Sequence, residues 1–150
     1  MRLIFSAILC TTIALGTACG PSRTPNEAAA DLGAGESERR LKAARDIEAS
    51  AREAQGLPAD VTETLLARFP VENDPKTKGS IITALGYTGD PRVKPLLEQY
   101  LQTSDPDQQR WGARAYKKYV VKTGQMAADY EFPENWPFGT SGFPPPAQEQ

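Results

Sequence analysis

The side chains able to do chemistry are few, and most have an evident structural task. The 150-residue chain has no histidine and two cysteines, Cys10 and Cys19. Without histidine there is no Ser-His-Asp site, no imidazole base and no histidine-ligated zinc. Carboxylates are plentiful, but Asp74, Asp90 and Asp105 each precede a proline at a predicted helix start. There a carboxylate is stabilised as the anion by free amide groups, which makes it a poor general acid. Gly86-Tyr87-Thr88-Gly89 is glycine-rich. It is no phosphate loop, because it lacks the Lys-Ser/Thr ending and follows a predicted helix. No cysteine or calcium-loop spacing marks a metal site. The expectation is a protein that is not an enzyme, with no catalytic residues, metal or cofactor and no small-molecule substrate.

One charged set stands out. Arg110, Arg114, Lys117, Lys118 and Lys122 lie between Gln108 and Thr123 with no acid among them. At ~100° per residue they sweep about 140° of a helix. Trp111 falls inside that sector, while Tyr116, Tyr119 and Val120 face the other way. Two readings fit. One is a solvated face whose aliphatic stems lie over Trp111. The other is a basic-aromatic contact surface formed by Arg110, Trp111, Arg114, Lys118 and Lys122, for an acidic protein, an anionic cell-wall polymer or membrane headgroups. Overall the chain has 17 basic and 19 acidic residues, a formal charge of −2. That balance argues against binding nucleic acid through bulk charge.

The positioning elements begin after an N-terminal stretch that is not part of the fold. Met1-Arg2 is followed by an uncharged, largely apolar run from Leu3 to Gly16. The run is shorter than a membrane span of ~20 residues and has the layout of a secretory signal. It ends in Leu15-Gly16-Thr17-Ala18-Cys19-Gly20, which resembles a bacterial lipobox, with Gly16 where leucine is usual. The resemblance implies cleavage of residues 1–18, acylation of Cys19 and a membrane anchor. With Gly20 rather than Asp after the cysteine, it also implies the outer membrane, facing the periplasm. Cys10 would leave with the signal, and the mature chain would hold no free thiol.

Residues 19–35 read as a lipid-anchored linker, with a short helix around Asn26–Ala30 as the alternative. The helical domain is predicted over 36–124 and an irregular tail over 125–150. Within the domain, Leu41, Ala44, Ile47, Ala51 and Ala54 mark a helix over Glu36–Gln55. Val61, Leu65, Leu66 and Phe69 mark a second helix. Asp74-Pro75, Asp90-Pro91 and Ser104-Asp105-Pro106 each predict a further helix start, capped by Asp with Pro in the first turn. Val93, Leu96, Leu97, Tyr100 and Leu101 form the cleanest amphipathic stripe, and Leu85, Leu96 and Leu97 are expected in the core. In the tail, Tyr130, Phe132, Trp136, Phe138 and Phe143 are interleaved with prolines that forbid a helix. They either cap the helix stack or form a polyproline-type ligand for another protein.

A shift of 31 residues places Asp74-Pro75 on Asp105-Pro106, Ala84 on Ala115, Leu65-Leu66 on Leu96-Leu97 and Phe69 on Tyr100. The run Asp74-Pro75, Lys78, Ala84-Leu85-Gly86, Gly89-Asp90-Pro91-Arg92 and Leu96-Leu97 resembles the short bacterial HEAT-like repeat over Asn73–Thr103. The flanking units are degenerate, with Lys117 and Val120 where Gly86 and Gly89 align. The resemblance implies an all-α fold, a short stack of antiparallel helix pairs. It also implies a protein that works by protein–protein interaction, with the membrane and an unidentified envelope protein as partners. The same residues leave open a structural or assembly-assisting, pilotin-like lipoprotein, or an accessory subunit of an envelope enzyme.

Overall fold

The computed structural model describes residues 23–126. The signal segment, Cys19 and the aromatic tail from residue 127 lie outside the described residues. The described chain is all-α, with six helices and no strand among the described residues. They are α1 (Pro25–Asp31), α2 (Ser37–Ala54), α3 (Ala59–Arg68), α4 (Pro75–Leu85), α5 (Val93–Gln102) and α6 (Pro106–Lys122), with a single 3-10 turn over Phe69–Val71 after α3.

Helix α1 corrects the linker expected over 19–35. Thr24 accepts the amide of Glu27, and the Glu27 carboxylate accepts the amide of Thr24, a reciprocal capping box. Pro25 occupies the first turn, and Ala28 and Leu32 are buried in the common core. The T-x-x-E signal stands in Thr24-Pro25-Asn26-Glu27, and it prevails over the nearby prolines and glycines that suggest a linker. From Thr24 onward the chain belongs to the domain.

Helix α2 follows from a run of strong helix formers, and buries Ala43, Ala44, Ile47 and Ala51. Ala44, Ile47 and Ala51 of the predicted stripe are buried, whereas Leu41 at its start is only partly covered and Ala54 at its end is exposed. The helix stops where Gln55 takes a left-handed conformation at φ 51°, with Gly56 donating back to the Ala51 carbonyl. Asp74 and Asp105 cap α4 and α6 as expected, each with proline in the first turn. Asp90 does not cap α5. It accepts the Arg92 amide and pairs with the Arg92 guanidinium, which reaches on to Glu63 of α3. The helix starts only at Val93, with no side-chain cap. Proline at position 91 therefore serves a turn, while Pro95 lies in the first turn of α5 as predicted.

Helix α4 is the centre of the domain. Every residue from Gly79 to Leu85 is buried, and α4 packs against both α2 and α6. Contact with α6 is at backbone distance. A Cβ on Gly79 would lie 2.5 Å from Trp111 Cε2, and one on Gly86 would lie 2.5 Å from the Ala115 carbonyl oxygen. Only glycine leaves room there. These contacts pair Gly79 with the early part of α6 and Gly86, just past α4, with the middle of α6, so the two helices run parallel. Helix α2 shares that sense, with Arg40 beside Glu72 at the start of α4 and Gly56 beside Tyr87 past its end. Helix α5 runs back and packs chiefly along α6 rather than α4. Leu85 and Leu97 are fully buried, whereas Leu66 and Leu96 are only partly so.

At the starting end of α4 sits a buried carboxylate that no sequence pattern singles out. Glu72 is 1% exposed. It accepts from Arg40 Nε at 2.9 Å, from Arg68 Nη2 at 2.9 Å, and from the amides of Asn73 and Asp74 at 2.9 Å each. Arg40 also donates to the carbonyls of Ala34 and Gly35. Burial raises the Glu72 pKa, but the Arg40 hydrogen bond, the Asp74 amide and Arg68 outweigh it and bring it down to about 2.

Because the folded-state value lies below the ordinary 4.5, the stability from Glu72 is full above about pH 5 and disappears as pH falls towards 2. The linkage is worth about 3 kcal/mol. Glu72→Gln is expected to lower stability at pH 7 by about 3 kcal/mol, since it leaves two arginines without their anion. Urea denaturation at pH 7 and at pH 3 should show the gap between the two proteins narrowing in acid. A gap independent of pH would exclude this ion cluster as the source.

Candidate functional site

The basic residues of α6 divide into two groups along the helix. Arg110 and Arg114 are exposed on its first half, with Arg110 paired to Asp107 at 3.3 Å. Lys118 and Lys122 are exposed on its second half, and Lys117 is half-buried. Tyr116, Tyr119 and Val120 are buried on the opposite side, as the helical spacing predicts.

Trp111 is where expectation and structure part. The sector places it among the lysines, but its indole lies over Gly79 of α4 and packs against the core. The missing side chain at Gly79 is what admits the ring. Trp111 is thus half-buried and ties α6 to α4, and the structure does not bring it together with Lys118 and Lys122. Those two act at the far end of the helix. The Lys118 ammonium sits 5.6 Å from the centroid of the Tyr87 ring. The Lys122 ammonium donates to the Gln55 carbonyl at 2.8 Å, satisfying an acceptor at the end of α2.

Between these contacts lies a cavity of about 350 Å³ lined by Gln55, Tyr87, Lys117, Lys118, Val121 and Lys122. It is built where α2, α4 and α6 all finish. Burial raises the Tyr87 hydroxyl pKa, with nearby Arg52 acting against the shift and Glu48 with it. Helical spacing in the sequence finds the lysines but not Tyr87 or Gln55, which lie beyond the ends of other helices. Only the parallel stacking of three helix ends brings them together. A second cavity of about 290 Å³, lined by Gln99, Tyr100, Gln102, Thr103 and Gln108, carries no charged side chain.

Among the described residues no group of three or more histidine, cysteine, aspartate or glutamate side chains could hold a metal ion. No described helix is long and apolar enough to cross a membrane. What the arrangement can do is present ammonium groups beside an aromatic ring and attract an anion. Comparison of the chain with protein-family models, with curated proteins and with solved structures finds no match.

The geometry separates stability from surface charge on α6. Trp111→Ala is expected to cost about 2 kcal/mol, less than a fully buried Trp because the ring is partly exposed. Arg114→Glu with Lys118→Glu is expected to change stability by no more than about 1 kcal/mol, including the loss of the contact over Tyr87. Urea denaturation of both variants checks this, and the reverse order of effects would contradict the placement of Trp111.

Proposed function

We propose that this chain is a lipid-anchored protein of the bacterial envelope, held at the outer membrane through Cys19 and facing the periplasm. Its helical domain is a short HEAT-like stack that mediates protein–protein interaction and is not an enzyme. The repeat reading is supported by one observation above all. Two helices begun by the same Asp-Pro cap, α4 and α6, lie parallel and in contact, and α5, which connects them in the chain, runs back along α6. Stacking of such units buries apolar faces that no single unit covers. The anchor reading is supported by the uncharged run ending at Cys19. A tether of few residues before Arg23 suits a domain kept close to the bilayer.

The contact surface in this reading is the exposed basic face of α6, Arg110, Arg114, Lys118 and Lys122, with Trp111 supplying rigidity rather than an exposed anchor. The partner is an envelope protein with an acidic face.

Cys19→Ser is expected to stop processing or release the protein from membranes, read by fractionation of the envelope. A Cys19→Ser variant processed and membrane-bound as before would end the anchor reading. Crosslinking in the envelope should recover a partner with the parent chain and lose it with Arg110→Glu and Arg114→Glu. Equal recovery with a folded double variant would remove this face from consideration.

A further inference from the structure

The direction in which the chain enters the domain and the position of the lysine-lined cavity are related. Helix α1 runs opposite to α2. Asp31 at its end pairs with Arg39 in the first turn of α2, and the Arg23 guanidinium folds back against the same Asp31, 3.9 Å from Asp46. Asn26 donates to Asp60, in the first turn of α3 just past the end of α2. The chain therefore comes into α1 from the side on which α2, α4 and α6 finish.

Asn26, in the first turn of α1, is beside Asp60, which follows the end of α2. Cys19 precedes Arg23 by four residues, a covalent reach of no more than about 14 Å. An acyl group on Cys19 can thus come level with that end.

The same end carries the cavity lined by Lys117, Lys118 and Lys122, with Tyr87 and Val121 as its less polar walls. No acid lines it. Of the acids nearby, Asp90 and Glu63 are engaged by Arg92, and Glu48 faces Tyr87 together with Arg52. Ammonium groups beside an aromatic wall suit a phosphate carried at an apolar boundary, since lysine binds phosphate as a point charge and cations are drawn to anionic bilayer surfaces.

We propose that the end of the domain where α2, α4 and α6 finish faces the membrane, and that its lysine-lined cavity takes the phosphate headgroups of anionic phospholipid. This deepens the anchor reading and rests on it for orientation. The lipid supplies attachment, and the cavity fixes which end of the stack lies against the bilayer; Lys118 and Lys122 then serve the membrane, and the partner surface narrows to Arg110 and Arg114.

The test uses residues 20–150, which keep every described residue and carry no acyl group. Sedimentation is measured with vesicles of phosphatidylcholine alone and of an equimolar mixture with phosphatidylglycerol. Binding is expected only to the mixed vesicles. Lys118→Glu with Lys122→Glu should weaken it by at least about thirtyfold, the loss of two lysines alone. Lys76→Glu with Arg110→Glu makes the same charge change at the opposite end, and should leave binding within about twofold. Lys118→Glu alone, at an exposed position, serves if loss of the Lys122 bond to Gln55 disturbs folding. Equal weakening by both double variants, insensitivity to Lys118→Glu, or no preference for phosphatidylglycerol would overturn the proposal. Because no acyl chain is present, these results stand apart from the fractionation of the Cys19→Ser protein, and either can fail without the other.

Discussion

The Glu72 carboxylate closes the end of the stack at which α2 and α4 begin. It is out of water, and its oxygens are met by Arg40 from α2, Arg68 from α3 and two amides of the turn into α4. Through Arg40 the cluster also holds the carbonyls of the α1–α2 connection. A charge buried at this depth is tolerable only when its lone pairs are filled and its countercharges are close. The geometry is therefore exacting. If Arg40 moves, the carboxylate loses its compensation, and with it the turn that presents Asp74 as the cap of α4. The register of three helices depends on that one group, and α4 in turn sets the position of α6 through Gly79 and Gly86.

From that register follows the arrangement at the other end. Helices α2, α4 and α6 run in one sense, and the turn after the shorter α4 extends to the ends of the other two, so Gln55, Tyr87 and Lys122 arrive together although they are distant in sequence. Three helix ends meeting at one place present carbonyl acceptors and negative dipole ends, and lysines are the residues that favour such a setting. One of them, Lys122, closes the stack by bonding to the end of α2. The others border a cavity that is cationic at its rim and partly apolar at its wall. The small residues within the core and the charged residues at its end thus belong to a single arrangement, since the glycines bring the helices close enough for their ends to share ligands.

Much of the helical domain is legible in the sequence because its signals are local. The Asp-Pro caps of α4 and α6 and the spacing of Leu97, Tyr100 and Leu101 need only neighbours along the chain. Where a signal depends on partners, reading it alone fails. Asp90-Pro91 looks like the other two helix starts, but Arg92 claims the Asp90 carboxylate and the helix begins later. Trp111 falls among lysines on a helical projection, yet the open space at Gly79 draws the ring inward. Glu72 gives no local sign of burial, because the arginines that compensate it come from two other helices. Helix α1 departs from expectation for a different reason. Its capping box is written plainly in Thr24 to Glu27, but the glycines and prolines around it suggest a tether. Of the candidate surface, the lysines are visible from composition, whereas the cavity beside them exists only through tertiary stacking.

The proposed function rests on attachment at Cys19, from which the orientation of the domain and its partner surface both follow. The most direct measurement is the mass of the N-terminal peptide of the protein isolated from bacterial envelopes. Attachment predicts that the chain begins at residue 19 and that this cysteine carries a thioether-linked diacylglycerol. A chain that begins elsewhere, or an unmodified thiol on Cys19, would contradict it.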